Sequence, residues 1–177
     1  MATLKKIVIG FAGLIIGLLI IGLFLPKQYN VERSIFINAE PQHIYTDVVD
    51  LREWKNWGVW FKRDPNMVLH YSGPDRAIGM RSTWESDTEG NGEMEITHLE
   101  FNKKVVYSLY FPEFDMGSVG EIELEPTPDG TLVTWRDKGE VGNNPIDRYF
   151  VLIMDELIGP DFEMGLENLK TIVENRH

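Results

Sequence analysis

Few residues in this chain are suited to acid–base or metal chemistry. The four histidines, His43, His70, His98 and His177, are scattered, and none belongs to an HExxH or other ligand-spaced cluster, so no metal site is expected. Cysteine is absent, which removes disulfides, thiolate nucleophiles and zinc–thiolate sites. No glycine-rich phosphate loop precedes a helix and no GxSxG elbow occurs, and no cofactor is expected. Three polar residues remain as catalytic candidates: His98, Asp137 and Tyr107. Alternation places His98 on the inner side of a strand over residues 92–100, and Asp137 on the inner side of one over 131–139. Such a pair would serve as general acid and base if burial raised the pKa of the acid. A lone inward histidine is more often a hydrogen-bonded core residue. Asp115, between Phe114 and Met116, is placed either at a cavity mouth or in a solvated loop.

The elements that would position these groups follow from periodicity. Tyr29 to Ile37 alternates and is rich in β-branched residues, as a strand does. Asn38-Ala39-Glu40-Pro41 turns the chain, and residues 41–57 read as one or two short helices entered through a first-turn proline. Six strands are predicted at about 67–72, 79–86, 92–100, 104–111, 117–125 and 131–139, separated by compositions typical of hairpins and turns. Helical spacing returns with Tyr149, Ile153, Leu157, Phe162, Leu166, Leu169 and Val173. Gly159-Pro160 interrupts it, so a kink or break is expected there, with the longer helix over 161–175. The sum is an α+β domain, a curved seven-stranded antiparallel sheet wrapped around a long carboxy-terminal helix.

One helix cannot fill the hollow of so wide a sheet, and the remaining space is the default binding site. Inward parity proposes its lining: Tyr71, Ser82, Trp84, Met94, Ile96, Tyr107, Leu109, Phe111, Gly120, Ile122, Val133 and Trp135 from the strands, with Ile153, Leu157 and Phe162 from the helical segment. Such a lining suits a hydrophobic or aromatic ligand, although the same residues would serve equally as core. Trp54, Trp57 and Trp60 recur every three residues, either packing the small helices onto the sheet or meeting a membrane interface.

Ahead of this domain lies an apolar run, Ile7 to Leu25, with no charged side chain between Lys6 and Pro26. About 20 such residues in a helix span the hydrocarbon core of a bilayer. The run is longer than a signal-peptide core, and no small-residue cleavage pair follows it, so an uncleaved anchor over residues 1–26 is expected, with the domain over 29–175. Lys5 and Lys6 precede the run, which places the amino terminus in the cytoplasm and the domain outside. Gly10, Gly13 and Gly17 give this helix one small face, through which two copies would pair weakly. All 28 acidic residues lie beyond the run, as do all but Lys5 and Lys6 of the 17 basic ones. That charge repels nucleic acid, which is not expected as a partner.

Several strings carry a resemblance: Val31-Glu32-Arg33-Ser34-Ile35-Phe36-Ile37-Asn38-Ala39, Asp50 with Trp54 and Trp57, Gly79-Met80 with Trp84, Gly92-Glu93-Met94-Glu95-Ile96, Gly130-Thr131-Leu132-Val133-Thr134-Trp135, and Asp161-Phe162-Glu163-Met164-Gly165-Leu166. Over about residues 29–175 the chain resembles the SRPBCC or START-like superfamily, within it the polyketide cyclase/dehydrase and lipid-transport group. The resemblance implies a helix-grip fold and a cavity for lipids, sterols, polyketides or similar molecules. It supplies no catalytic motif to carry onto numbered residues. Three functions follow as expectations: a membrane-anchored binding domain for a hydrophobic small molecule, a cyclase or dehydratase using cavity polar groups, and a non-catalytic interaction module.

Overall fold

The computed structural model describes residues 2–176. Helix α1 (Ala2–Phe24) leads into β1 (Gln28–Ile37), followed by three short helices, α2 (Pro41–Val49), α3 (Trp54–Trp57) and α4 (Trp60–Arg63). Six strands come next: β2 (Val68–Ser72), β3 (Arg81–Glu85), β4 (Gly92–Glu100), β5 (Lys104–Phe111), β6 (Met116–Thr127) and β7 (Gly130–Glu140). Helices α5 (Arg148–Val151) and α6 (Met154–Glu174) close the chain. All strands form one antiparallel sheet in the order β1-β7-β6-β5-β4-β3-β2, so the first strand pairs with the last and the rest form a meander. Helix α6 packs on β1 and β7 and against α2 and α3, which is the helix-grip arrangement.

Helix α2 starts at Pro41, where the missing N–H costs nothing, and buries Ile44, Tyr45, Val48 and Val49. Its carboxy-terminal side is tied to Arg176, whose Nη1 donates to both carboxylate oxygens of Asp47 at 2.8 and 3.0 Å. Lys170 donates to the Phe36 carbonyl at 2.8 Å, and Glu174 accepts from the Asn38 amide at 2.8 Å, fixing α6 along the end of β1.

The structure departs from sequence expectation at three places. A third short helix, α4, follows α3. Helix α6 runs unbroken from Met154 through Pro160 rather than starting at Asp161. Pro160 and Glu156 are both exposed, so water can satisfy the Glu156 carbonyl that loses its helical donor. In β4 the register shifts between Ile96 and His98. The extra residue of this bulge reverses the alternation, so Leu99 turns inward and His98 outward.

Candidate ligand-binding site

Five aromatic side chains fill one end of the space between sheet and helices. The ring of Trp135 on β7 stacks on Phe162 of α6 at 4.0 Å and an interplanar angle of 4°. Trp54, Trp57 and Trp60 meet the same indole edge-on at 5.7, 5.2 and 5.9 Å. Gly165 is the reason α6 can come this close, since a Cβ there would lie 2.9 Å from the Trp135 ring. Each buried indole N–H has an acceptor: the Val48 carbonyl for Trp54 at 3.0 Å, the Asp47 carbonyl for Trp57 at 3.4 Å, and the Tyr107 hydroxyl for Trp135 at 2.8 Å. The tryptophan triplet is therefore packing for the small helices, not an exposed membrane patch.

Beyond this cluster a cavity of about 360 Å³ remains, within the size range of small-molecule sites. Trp84, Met94, Leu109, Phe111 and Met116 line it from the sheet, Trp60, Phe61 and Met67 from the α4 region, and Met154, Ile158 and Phe162 from α6. A larger depression of about 830 Å³ runs beside Arg33, Lys62, Arg63 and Glu163, but it is open to solvent. Its two arginines are already engaged, Arg33 with Asp155 and Glu163, and Arg63 with Asp161 and Glu89. The less open, more apolar cavity is the better candidate.

One wall of the cavity is polar. Cross-strand pairing sets Asp137 opposite Gly120 and Gly120 opposite Tyr107, so these three lie in one row across β7, β6 and β5. Gly120 does not line the cavity: the Tyr107 ring lies over it, in space that any Cβ would claim. In the neighbouring row Ser118 donates to Asp137 Oδ2 at 2.9 Å, and the Tyr29 hydroxyl is hydrogen-bonded to the same carboxyl. Burial pushes the Asp137 carboxyl above its ordinary range, and these two bonds oppose the rise. Tyr29 and Tyr107 are both pushed up by burial first and then by the adjacent carboxylate, so both phenols stay protonated. At the rim, Arg63 binds Asp161 through two bonds of 3.1 and 2.7 Å and bridges to Glu89 at 3.1 Å. Among the described residues no three His, Asp or Glu side chains converge as metal ligands would.

Of the proposed lining residues, Trp84, Met94, Tyr107, Leu109, Phe111, Trp135 and Phe162 do border the cavity, as does the catalytic candidate Asp137. Ile96, Ile122 and Val133 are completely buried in the core instead. Their parity is right, but they sit at the end of the strands that α2, α3 and the second half of α6 cover. Tyr71 and Ser82 lie toward the β2 edge, where Arg52 covers the Tyr71 ring at 5.6 Å. Ile153 and Leu157 are exposed, because continuous winding from Met154 turns 154, 158 and 162 inward. His98 points outward, its nearest charged neighbour Glu100 at 3.7 Å, so it cannot work with Asp137. Asp115 accepts from the Tyr110 hydroxyl at 2.9 Å in the β5–β6 turn, with φ of 48°. Ser118 and Tyr29 were not anticipated, although each has inward parity in its strand.

The shift at Asp137 has a pH consequence. A carboxyl whose folded pKa lies above its unfolded value contributes most when protonated in both states. As pH rises from the unfolded value through the folded one, that contribution is lost. Carboxylates held low by partners, such as Asp50, Glu123 and Glu174, run the other way. Asp137→Asn is therefore expected to gain stability relative to wild type as pH rises from 4 through the weakly acidic range. Urea midpoints of both proteins, measured at several pH values, check this; a constant difference would place the Asp137 charge in water.

Family comparison matches residues 28–174 to the description "polyketide cyclase / dehydrase and lipid transport". No curated protein matched the chain. Among solved structures, a Staphylococcus aureus protein of unknown function, SA2116, superposes with a TM-score of 0.66 at 14% identity, over 85% of this chain and 96% of its own. Protein MLL2253 of Mesorhizobium loti gives 0.61 at 18%, over 84% and 98%. The di-domain ARO/CYC StfQ of the steffimycin biosynthetic pathway gives 0.62 at 17%, over 85% of this chain and 52% of that one. These likenesses concern the fold; the family match, which spans most of the sequence, shows that the chain belongs to the polyketide cyclase / dehydrase and lipid transport family.

Proposed function

We propose that this protein is a membrane-anchored binding domain that holds a hydrophobic small molecule, a lipid, isoprenoid or polyketide-like compound, between its sheet and α6. The observation that carries this reading is a largely apolar, aromatic-rich cavity of about 360 Å³ whose polar groups include the buried carboxyl of Asp137. Asp137 keeps acceptor capacity beyond Ser118 and Tyr29, so it favours a ligand with a hydroxyl or amine donor. The nearest cation, Arg63, is already committed to Asp161 and Glu89, which disfavours an acidic ligand.

Helix α1 supports the anchor. It is long and apolar enough to cross a bilayer, and only 6% of its most apolar window is buried by the rest of the chain. A core helix of a soluble domain would be covered. Tethering would keep the cavity where hydrophobic ligands partition. In this reading the amino terminus is cytoplasmic and the domain lies outside. The face of Gly10, Gly13 and Gly17 has nothing within 4 Å and is free to pair weakly with a second α1.

Native mass spectrometry of the full chain released from detergent, followed by organic extraction, tests the binding role. A stoichiometric apolar molecule is the expected result. A chain that is always empty, and that retains no added hydrophobic compound, would move the assignment to an interaction module. A cyclase or dehydratase would have to use Asp137 without a histidine partner, and would reveal itself by altering the bound molecule in wild type but not in Asp137→Asn.

A further inference from the structure

The segment between β7 and α6 does not pack like a surface loop. Arg148, itself buried, donates to the Leu23 carbonyl at 2.5 Å, so a guanidinium caps the carboxy-terminal end of α1. The Tyr149 hydroxyl donates to the Leu18 carbonyl at 2.7 Å. Gly22 is buried against Pro145. These contacts set the segment beside the last two turns of α1. Leu18 lies seven residues before the end of the apolar run at Leu25, about 10 Å along a helix. In and just after this segment the exposed apolar side chains are Ile146, Phe150, Leu152, Ile153 and Leu157, all between 41% and 57% exposed. Isolated apolar residues on a surface mean little, but here five fall within twelve residues, beside a helix that is itself uncovered. On the adjoining face of α6, Met154 and Ile158 line the cavity.

We infer that residues 146–157 are embedded in the interfacial zone of the bilayer that α1 crosses, so that one layer of chain separates lipid from the cavity. This rests on reading α1 as a membrane span. Amphipathic segments of this kind sink about 5–10 Å into the headgroup–acyl boundary, which matches the level of the Leu18 and Leu23 carbonyls. A hydrophobic ligand would then pass between bilayer and cavity beside Met154 and Ile158 without crossing water.

The absence of native cysteine makes single-site labelling clean. Full-length chains carrying Leu14→Cys, Phe150→Cys, Leu152→Cys or Phe101→Cys are labelled with an environment-sensitive fluorophore in phosphatidylcholine vesicles. Phe101, 80% exposed in the β4–β5 turn, is the aqueous control. The expected result is that nitroxides on the lipid chains quench labels at positions 14, 150 and 152 and spare that at 101. Quenching at 14 alone would overturn the inference and leave the anchor standing. No quenching at 14 would overturn the anchor reading, and the inference with it. Labels at 150 and 152 that are hidden from aqueous iodide yet untouched by lipid nitroxide would mean that a second copy covers the strip, which also overturns it.

Discussion

Alanine in place of Trp135 is expected to lower the unfolding free energy of the domain by about 3–5 kcal/mol, the range for removing a buried large aromatic ring. The site has little means of collapse. Trp135 is 1% exposed and holds Phe162 face to face and three further indoles edge-on, two from α3 and one from α4, so its removal leaves a void shared by sheet and helices. It also strands the Tyr107 hydroxyl, which is fully enclosed. Domains are stable by only about 5–15 kcal/mol, so this one residue accounts for a large share. At slopes usual for small domains, roughly 1–3 kcal/mol per molar urea, the midpoint should fall by about 1–3 M. Tyr107→Phe separates packing from hydrogen bonding. It keeps the ring over Gly120 and leaves only the Trp135 N–H without an acceptor, at a cost of about 1–3 kcal/mol. A loss below that of Tyr107→Phe for Trp135→Ala would mean that the aromatic cluster is loosely packed and that the cavity extends into it.

The aromatic cluster also explains how far the sequence could be read. Period-two runs located all seven strands to within a few residues, because each is bounded by Gly, Pro or Asn turns. Parity then chose the right face for most side chains, yet face is only half of position. Ile122 and Leu109 both point inward. One is sealed beneath the small helices and the other borders empty space, because Trp54 and Trp57 fill just one end of the sheet. Nothing local in β5 or β6 announces where those tryptophans will lie. His98 failed for a different reason: a bulge adds one residue to β4 and turns every later side chain over, and the string Ile96-Thr97-His98-Leu99 alternates as well in either phase. In α6 the helix continues through Pro160. Met154, Ile158 and Phe162 form an i, i+4, i+8 stripe that continues into Leu166 and Leu169, and that stripe outweighs one missing hydrogen bond on an exposed face. Ser118 and Tyr29 were visible by parity alone, but a lone inward serine carries no signal until its partner Asp137 is known to be buried.

Leu109→Trp is expected to abolish retention of the hydrophobic ligand while leaving the fold nearly unchanged. Leu109 lies on β5 between Met94 and Ser118 of the flanking strands, half-buried, with its side chain bordering the cavity. An indole there grows into free space of about 360 Å³, so no neighbour has to move. The urea midpoint should stay close to wild type, whereas ligand occupancy should fall at least about ten-fold, the factor that each 1.4 kcal/mol of lost contact supplies. Ile122→Trp, in a site with no room, is the contrast: overpacking should cost about 1–3 kcal/mol. Gly120→Phe cannot serve as the filling variant, because the Tyr107 ring already occupies that space and would be expelled. Occupancy unchanged in Leu109→Trp would place the ligand elsewhere or remove it from the function. Loss of occupancy together with a fallen midpoint would make the result one of unfolding. Loss at constant stability is the outcome that ties binding to this cavity, since empty volume at that wall is the only property the substitution removes.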